Sequence, residues 1–155
     1  MKQYERAIAD YDKSIELKPD KEVLASVYVN RGASYNGLEL YEHAIKDFDK
    51  AIELEPEHAA AYHNRGTSYV RLELYARIRT DYDKAIELKP DNDEFYYKRA
   101  VAKSSKDYLG AILDATKAIE LNPENAIAYK IRGLSMASLK YEADALKCSD
   151  YKKCC

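Results

Sequence analysis

The sequence predicts an all-α protein: tandem antiparallel helix-turn-helix repeats stacked into a solenoid. Three observations carry that prediction. A phrase recurs four times along the 155 residues, as DYDKSIELKP at Asp10–Pro19, DFDKAIELEP at Asp47–Pro56, DYDKAIELKP at Asp81–Pro90 and DATKAIELNP at Asp114–Pro123. A period of about 34 residues marks units that cannot bury an apolar face alone and must stack on neighbours. The apolar and aromatic residues inside each period fall at spacings of three, four and seven, which place them on one face of a helix. Composition agrees, because 46% hydrophobic and 34% charged residues suit a helix-rich folded chain rather than a disordered one.

Two registers alternate within each period. The first runs Tyr28-x2-Arg31-Gly32-x2-Tyr35, Tyr62-x2-Arg65-Gly66-x2-Tyr69, Tyr96-x2-Arg99-Ala100 and Tyr129-x2-Arg132-Gly133. The second runs Ala7-x3-Tyr11-x2-Ser14, Ala44-x3-Phe48-x2-Ala51, Ile78-x3-Tyr82-x2-Ala85 and Ala111-x3-Ala115-x2-Ala118. Each unit is therefore two amphipathic helices. The proline stops the second helix, and an Asp, Glu or Asn after it can cap the next. Residues 1–155 read as one domain, divided into a partial unit at 1–21, full units at 22–58, 59–92 and 93–125, and a degenerate unit at 126–155. The partial unit holds only a second helix, as in a fragment of a longer protein.

Crowding explains the composition of each slot. Gly32, Gly66 and Gly133 interrupt helix interiors at a cost of about 1 kcal/mol each relative to alanine. Such a cost is sensible where two helix backbones approach closely, with Ala7, Ala44 and Ala111 on the facing side. Ile78 stands in one of those alanine slots, and overpacking there costs about 1–3 kcal/mol, so local distortion is expected near Ala76–Thr80. The unit after Pro90 is one residue short, which predicts a tighter turn around Ser104–Lys106. Tyr141–Cys155 keeps a helical pattern and predicts a final helix without the repeat signature.

These residues resemble the tetratricopeptide repeat (TPR) family, whose signature is aromatic-x2-Leu-Gly-x2-Tyr, then Ala-x3-Phe, then Pro. Tyr28, Gly32, Tyr35, Ala44, Phe48 and Pro56 match it best, and the resemblance extends from about Tyr4 to Tyr141. It implies a right-handed superhelix in which the first helices line a concave groove for a partner peptide.

Arginine occupies the position where the family usually has leucine, at Arg31, Arg65, Arg99 and Arg132. Pairing each with the aspartate of its own unit leaves Arg132 without one, because the equivalent residue is Cys148. Pairing with the preceding unit serves all four, so the expectation is a ladder of Arg31–Asp10, Arg65–Asp47, Arg99–Asp81 and Arg132–Asp114. Independent solvated charges are the alternative.

Catalysis finds no support in the pattern. His43, His58 and His63 lack metal-helix spacing, and the five glycines form no phosphate loop. Four ligands of zinc spacing are also missing around Cys148, Cys154 and Cys155. Those cysteines read as ordinary thiols at a terminus able to cross-link chains, with lipidation a lesser reading. A net charge of −2 gives no footprint for nucleic acid. No apolar stretch approaches the ~20 residues of a membrane span. The charged opening MKQYERAIADYDK does not resemble a signal peptide, which predicts a cytoplasmic location. No catalytic residue, metal or cofactor is expected.

The expected function is therefore a non-enzymatic scaffold that binds a peptide or helix of a partner protein. The residues assigned to the inner face are Ser26, Val29, Asn30, Ala33 and Asn36, then His63, Asn64, Thr67 and Arg71. The third and fourth units add Glu94, Tyr97, Lys98 and Val101, and Lys130 and Ile131. Asn30 and Asn64 hold equivalent positions, and an amide that both donates and accepts suits main-chain recognition. The family's chaperone-docking members use a Lys, Asn, Asn, Lys, Arg clamp, and the matching positions here are Val29, Ala33, Asn64, Glu94 and Lys98. That is a poor match and disfavours the role. Self-association through uncapped terminal helices is the alternative, as is service as the interaction segment of a larger protein.

Overall fold

A computed structural model describes residues 1–153, with side chains at all but residues 75, 76 and 143–153. The described residues form eight α-helices and no strand: α1 (Lys2–Glu16), α2 (Lys21–Gly37), α3 (Tyr41–Leu54), α4 (Ala59–Arg71), α5 (Tyr75–Leu88), α6 (Asp93–Lys103), α7 (Tyr108–Leu121) and α8 (Ala126–Lys153). The chain forms two compact units, Met1–Pro90 and Asp91–Cys155.

The helices stop where backbone chemistry demands it. A proline restricts the residue before it to extended geometry, and Glu55, Lys89 and Asn122 adopt it, with φ of −135°, −141° and −140°. Lys18 differs, taking φ 51° ahead of Pro19. Asp20 caps α2 by accepting from the Val23 amide at 2.9 Å, and Asn92 accepts from the Glu94 amide at the start of α6. Within the first unit, the α2–α3 and α4–α5 turns each place a glutamate in the left-handed region, Glu39 at φ 61° and Glu73 at φ 56°.

Three local expectations change. The α6–α7 connection is not tighter than the others: α6 ends early and four residues follow it, with Asp107 capping α7 by accepting from the Gly110 amide. Helix α5 runs without a break through Ile78, which is fully buried. The last unit is no hairpin, because α8 continues as a single helix of 28 residues. Its segment SMASLKYEA has neither the Leu-Glu-Leu run at which α2–α3 and α4–α5 turn nor an aspartate like Asp107 at the α6–α7 turn, so helix propensity goes unopposed.

In the first unit the core gathers Val29, Ala44, Phe48, Ala51 and Ala61, flanked by Tyr28, Tyr35 and Ile52. In the second it gathers Ala100, Ala111, Ala115 and Ile131, with Tyr97 against it. The glycine slots have a steric basis in the first unit. A Cβ on Gly32 would lie 2.7 Å from the buried Phe48 ring, and one on Gly66 would lie 3.2 Å from Tyr82. Gly133 is different: no described residue comes within 4 Å of its Cβ position.

Candidate functional site

In each unit the first helices of successive repeats pack side by side, α2 on α4 and α6 on α8. In the first unit Ser26, Asn30 and Ala33 of α2 are exposed, while His63, Asn64 and Thr67 of α4 are half-buried and Arg71 is exposed. Asn36 joins the two helices, because its Oδ1 accepts from the buried Ser68 hydroxyl at 2.9 Å. Thr67 is also engaged structurally, its Oγ1 lying 3.1 Å from the His63 carbonyl and 3.2 Å from the Tyr82 hydroxyl. The His63 ring sits against Tyr82, with centroids 5.9 Å apart.

In the second unit Glu94, Tyr97 and Lys98 are half-buried on α6, Val101 is exposed, and Lys130 is exposed on α8. Lys98 pairs with Glu94 at 3.2 Å, one helical turn away. Burial raises the Tyr97 phenol above its usual range, and the neighbouring Glu94 adds to the shift.

Two expected inner-face residues are withdrawn from it. Val29 and Ile131 are 6% and 7% exposed and belong to the cores. Each faces the packing between helices rather than open surface, a distinction that helical periodicity alone does not draw.

The arginines do not pair as the ladder predicted. Arg31 grips Asp47 of its own repeat through two bonds, Nε to Oδ2 at 2.8 Å and Nη2 to Oδ1 at 2.6 Å. Its remaining Nη1 reaches Asp12 on α1 at 2.6 Å, not Asp10. Arg65 repeats the pattern, with two bonds to Asp81 and one to Asp49. Arg99 grips Asp114, which also receives Lys103 at 2.8 Å. Tyrosines flank these guanidinium groups, Tyr28 and Tyr35 around Arg31 and Tyr62 and Tyr69 around Arg65. The two-bond geometry is the strong form of a charge-assisted contact.

Asp47 raises the basicity of Arg31 against the opposing cost of burial. Burial pushes the Asp81 carboxyl above the usual carboxylate range, against the pull of Arg65. Asp12 and Asp49 were overlooked as partners, although the second aspartate of each DYD or DFD triplet signals them. Arg132 has no carboxylate partner among the described residues and lies over Tyr129 at 5.2 Å. The ladder had assigned it Asp114, which Arg99 already holds.

Two open clefts in the first unit are lined by other residues. One, of about 490 Å³, lies among Tyr28, Arg31, Tyr35, His43, Lys46, Asp47, Asp49 and Lys50. The other lies beside Lys21, Glu22 and Pro56. Among the described residues no three His, Cys, Asp or Glu side chains gather as a metal site, and no helix is long and apolar enough to cross a membrane. The side chain of Cys148, and Cys154 and Cys155 altogether, lie outside the described residues.

Solved structures with this arrangement are numerous. The first TPR of Spaghetti (RPAP3), bound to the HSP90 peptide SRMEEVD, is 26% identical with a TM-score of 0.72, over 76% of this chain and 95% of that one. YrrB, described as a TPR protein with an unusual peptide-binding site, is 26% identical with a TM-score of 0.77, over 94% of this chain and 74% of that one. MamA reaches a TM-score of 0.81 at 23% identity over 97% of this chain and 91% of that one, a likeness of fold. No curated protein matches the sequence. Two family models, both described as tetratricopeptide repeat, match residues 25–58 and residues 1–21 with 59–92. With the signature residues in register and the helix pairs in place, the chain belongs to the tetratricopeptide repeat family.

Proposed function

We propose that the chain is a non-enzymatic scaffold that binds an extended peptide or a helix of a partner protein along the inner faces of its first helices. The observation that carries the reading is in the first unit. Helices α2 and α4 pack directly, and Asn30 and Asn64 hold equivalent repeat positions on them, Asn30 exposed and Asn64 half-buried. An amide at each position can pair with a peptide main chain without reading its side chains. Peptide binding by the similar Spaghetti domain and YrrB supports the class of ligand.

An acidic C-terminal tail is not the ligand this surface suits. Val29, matched to the first lysine of the family's carboxylate clamp, is buried, and Glu94 sets a negative charge where the clamp has a second lysine. Extended segments with neutral main-chain exposure fit better. The cytoplasm is the compartment this reading assumes.

Selection of displayed peptides on the wild-type chain, followed by titration of the selected peptides, tests the proposal. Replacing Asn30 and Asn64 together with alanine should weaken binding by about tenfold or more, the loss of one to two good hydrogen bonds. Lys98→Ala probes the second unit separately. Unchanged affinity in both variants overturns the inner-face assignment.

A further inference from the structure

The arginines of the first unit make more bonds than one helix pair needs. Arg31 and Arg65 each lock the second helix of their own repeat with two bonds, to Asp47 and Asp81. The third bond leaves the repeat. Nη1 of Arg31 donates to Asp12 of α1 at 2.6 Å, and Nη1 of Arg65 donates to Asp49 of α3 at 2.6 Å. The two kinds of bond differ in exposure. The side chains of Asp47 and Asp81 are 7% and 4% exposed, whereas those of Asp12 and Asp49 are 50% and 52% exposed.

The inner and outer sides of this unit are held differently. On the inner side α2 packs on α4, and Asn36 bonds Ser68 between them. On the outer side, among the described residues, α1 does not pack broadly on α3, nor α3 on α5. Each packs instead on the first helix that follows it, α1 on α2 and α3 on α4. Apolar packing is non-directional and leaves the angle of such a contact free. A charge-assisted hydrogen bond adds direction. Asp81 already fixes the Arg65 guanidinium, so the entropy cost of the exposed pair falls mainly on Asp49.

We propose that the third bond of Arg31 and of Arg65 is a charge-dependent tie between successive second helices, which sets the angle between repeats of the first unit and with it the spacing of α2 and α4. The α2–α4 contact is the pivot, and the outer bond fixes the angle about it. Solvent ions reach the tie, because Arg31 lines the open cleft of about 490 Å³ and both outer aspartates are half exposed. Ionic strength therefore acts on the tie, while the buried pairs to Asp47 and Asp81 are screened much less. The tie belongs to the scaffold and stands whether or not a peptide occupies the inner face.

Spin labels at Glu53→Cys on α3 and Glu87→Cys on α5 read the distance between these second helices, in a chain carrying Cys148→Ser, Cys154→Ser and Cys155→Ser. Asp49→Ala removes the tie and leaves both bonds to Asp81, and Asp49→Lys sets a cation against Arg65. At low salt the mean distance should lengthen in the order wild type, Asp49→Ala, Asp49→Lys, by about 1–2 Å, the scale of helix shifts at packed interfaces. Raising the salt from about 0.01 M to about 1 M shortens the screening length from about 30 Å to about 3 Å, and the three distances should then converge. Glu42→Ala removes an exposed carboxylate from the same helix and should leave the wild-type distance. Asp49→Ala should keep the helical circular dichroism and a near-wild-type urea midpoint, because it strands no buried charge. Where Asp49→Lys does not fold, wild type against Asp49→Ala decides. Equal distances at low salt, an order that does not follow charge, differences that persist at high salt, or a Glu42→Ala shift as large as that of Asp49→Ala overturn the inference.

Discussion

The α2–α3 hairpin and the helix α8 start from nearly the same sequence pattern and reach different ends. Both carry Tyr-x2-Arg-Gly. On α2 the arginine is locked by Asp47 and Asp12, and the glycine is roofed by Phe48. On α8 the arginine rests on Tyr129, and no described residue comes within 4 Å of the glycine's Cβ position. The signature of a first helix therefore specifies a receptor surface, and a second helix must arrive for it to become a core.

The largest expected difference between closed and open sites is at the arginines. Arg65→Ala leaves Asp81 buried without its partner and should cost about 3–5 kcal/mol of stability. Arg132→Ala removes only a stacked cation and should cost about 1 kcal/mol or less. Urea unfolding of both variants makes the comparison, and equal losses would show that Arg132 is already paired. The glycines come next, because the sign should reverse between the two places. Gly32→Ala drives a methyl into the fixed Phe48 ring and should lose about 1–3 kcal/mol. Gly133→Ala meets no described residue within 4 Å and should gain up to about 1 kcal/mol of helix propensity. Denaturation midpoints of the pair decide it, and a loss at Gly133 would mean that its notch is filled.

The smallest effect is in pH dependence. The folded Asp81 carboxyl holds its proton more tightly than the unfolded one, because burial raises it above the ordinary range. Its contribution to stability is fullest below the ordinary carboxylate range and is lost as pH rises through the raised value. The stability of wild type relative to Asp81→Asn should therefore decline as pH rises through the acidic range. Midpoints measured at several acidic pH values would show that slope, and a rising slope would put the pairing with Arg65 ahead of desolvation.

Most of the architecture was legible in the sequence because the repeat reports it redundantly. Period, helix register and the stop at each proline all follow from residue size and spacing, whereas the glycines, expected opposite the alanine slots, are met by the rings of Phe48 and Tyr82. The arginine pairing was not legible, and the reason is specific. Pairing within a unit was set aside because it would strand Arg132, on the assumption that every copy of a motif is satisfied alike. Among the described residues Arg132 has no carboxylate, and the other arginines take their two-bond partners within their own units. The inner face was only partly legible, since a first helix packs on its own second helix and on neighbouring first helices together. Val29 and Ile131 fell on those extra contacts. The fate of α8 hinged on what its sequence lacks near Leu139, the Leu-Glu-Leu run or capping aspartate of the other turns, and absence is a weak signal in a repeat already degenerate there.

Helix α2 has 17 residues against 13 in α4. The difference lies ahead of Tyr28, where the first interval between prolines is longest. An insertion there adds a turn before the first packed side chain and rotates nothing that follows. The Pro19–Leu24 stretch, ahead of the buried Ala25, is thus a place where the chain can change length without losing phase. Stepwise lengthening or shortening of it would vary the spacing between α1 and the first complete repeat while leaving each helix pair intact.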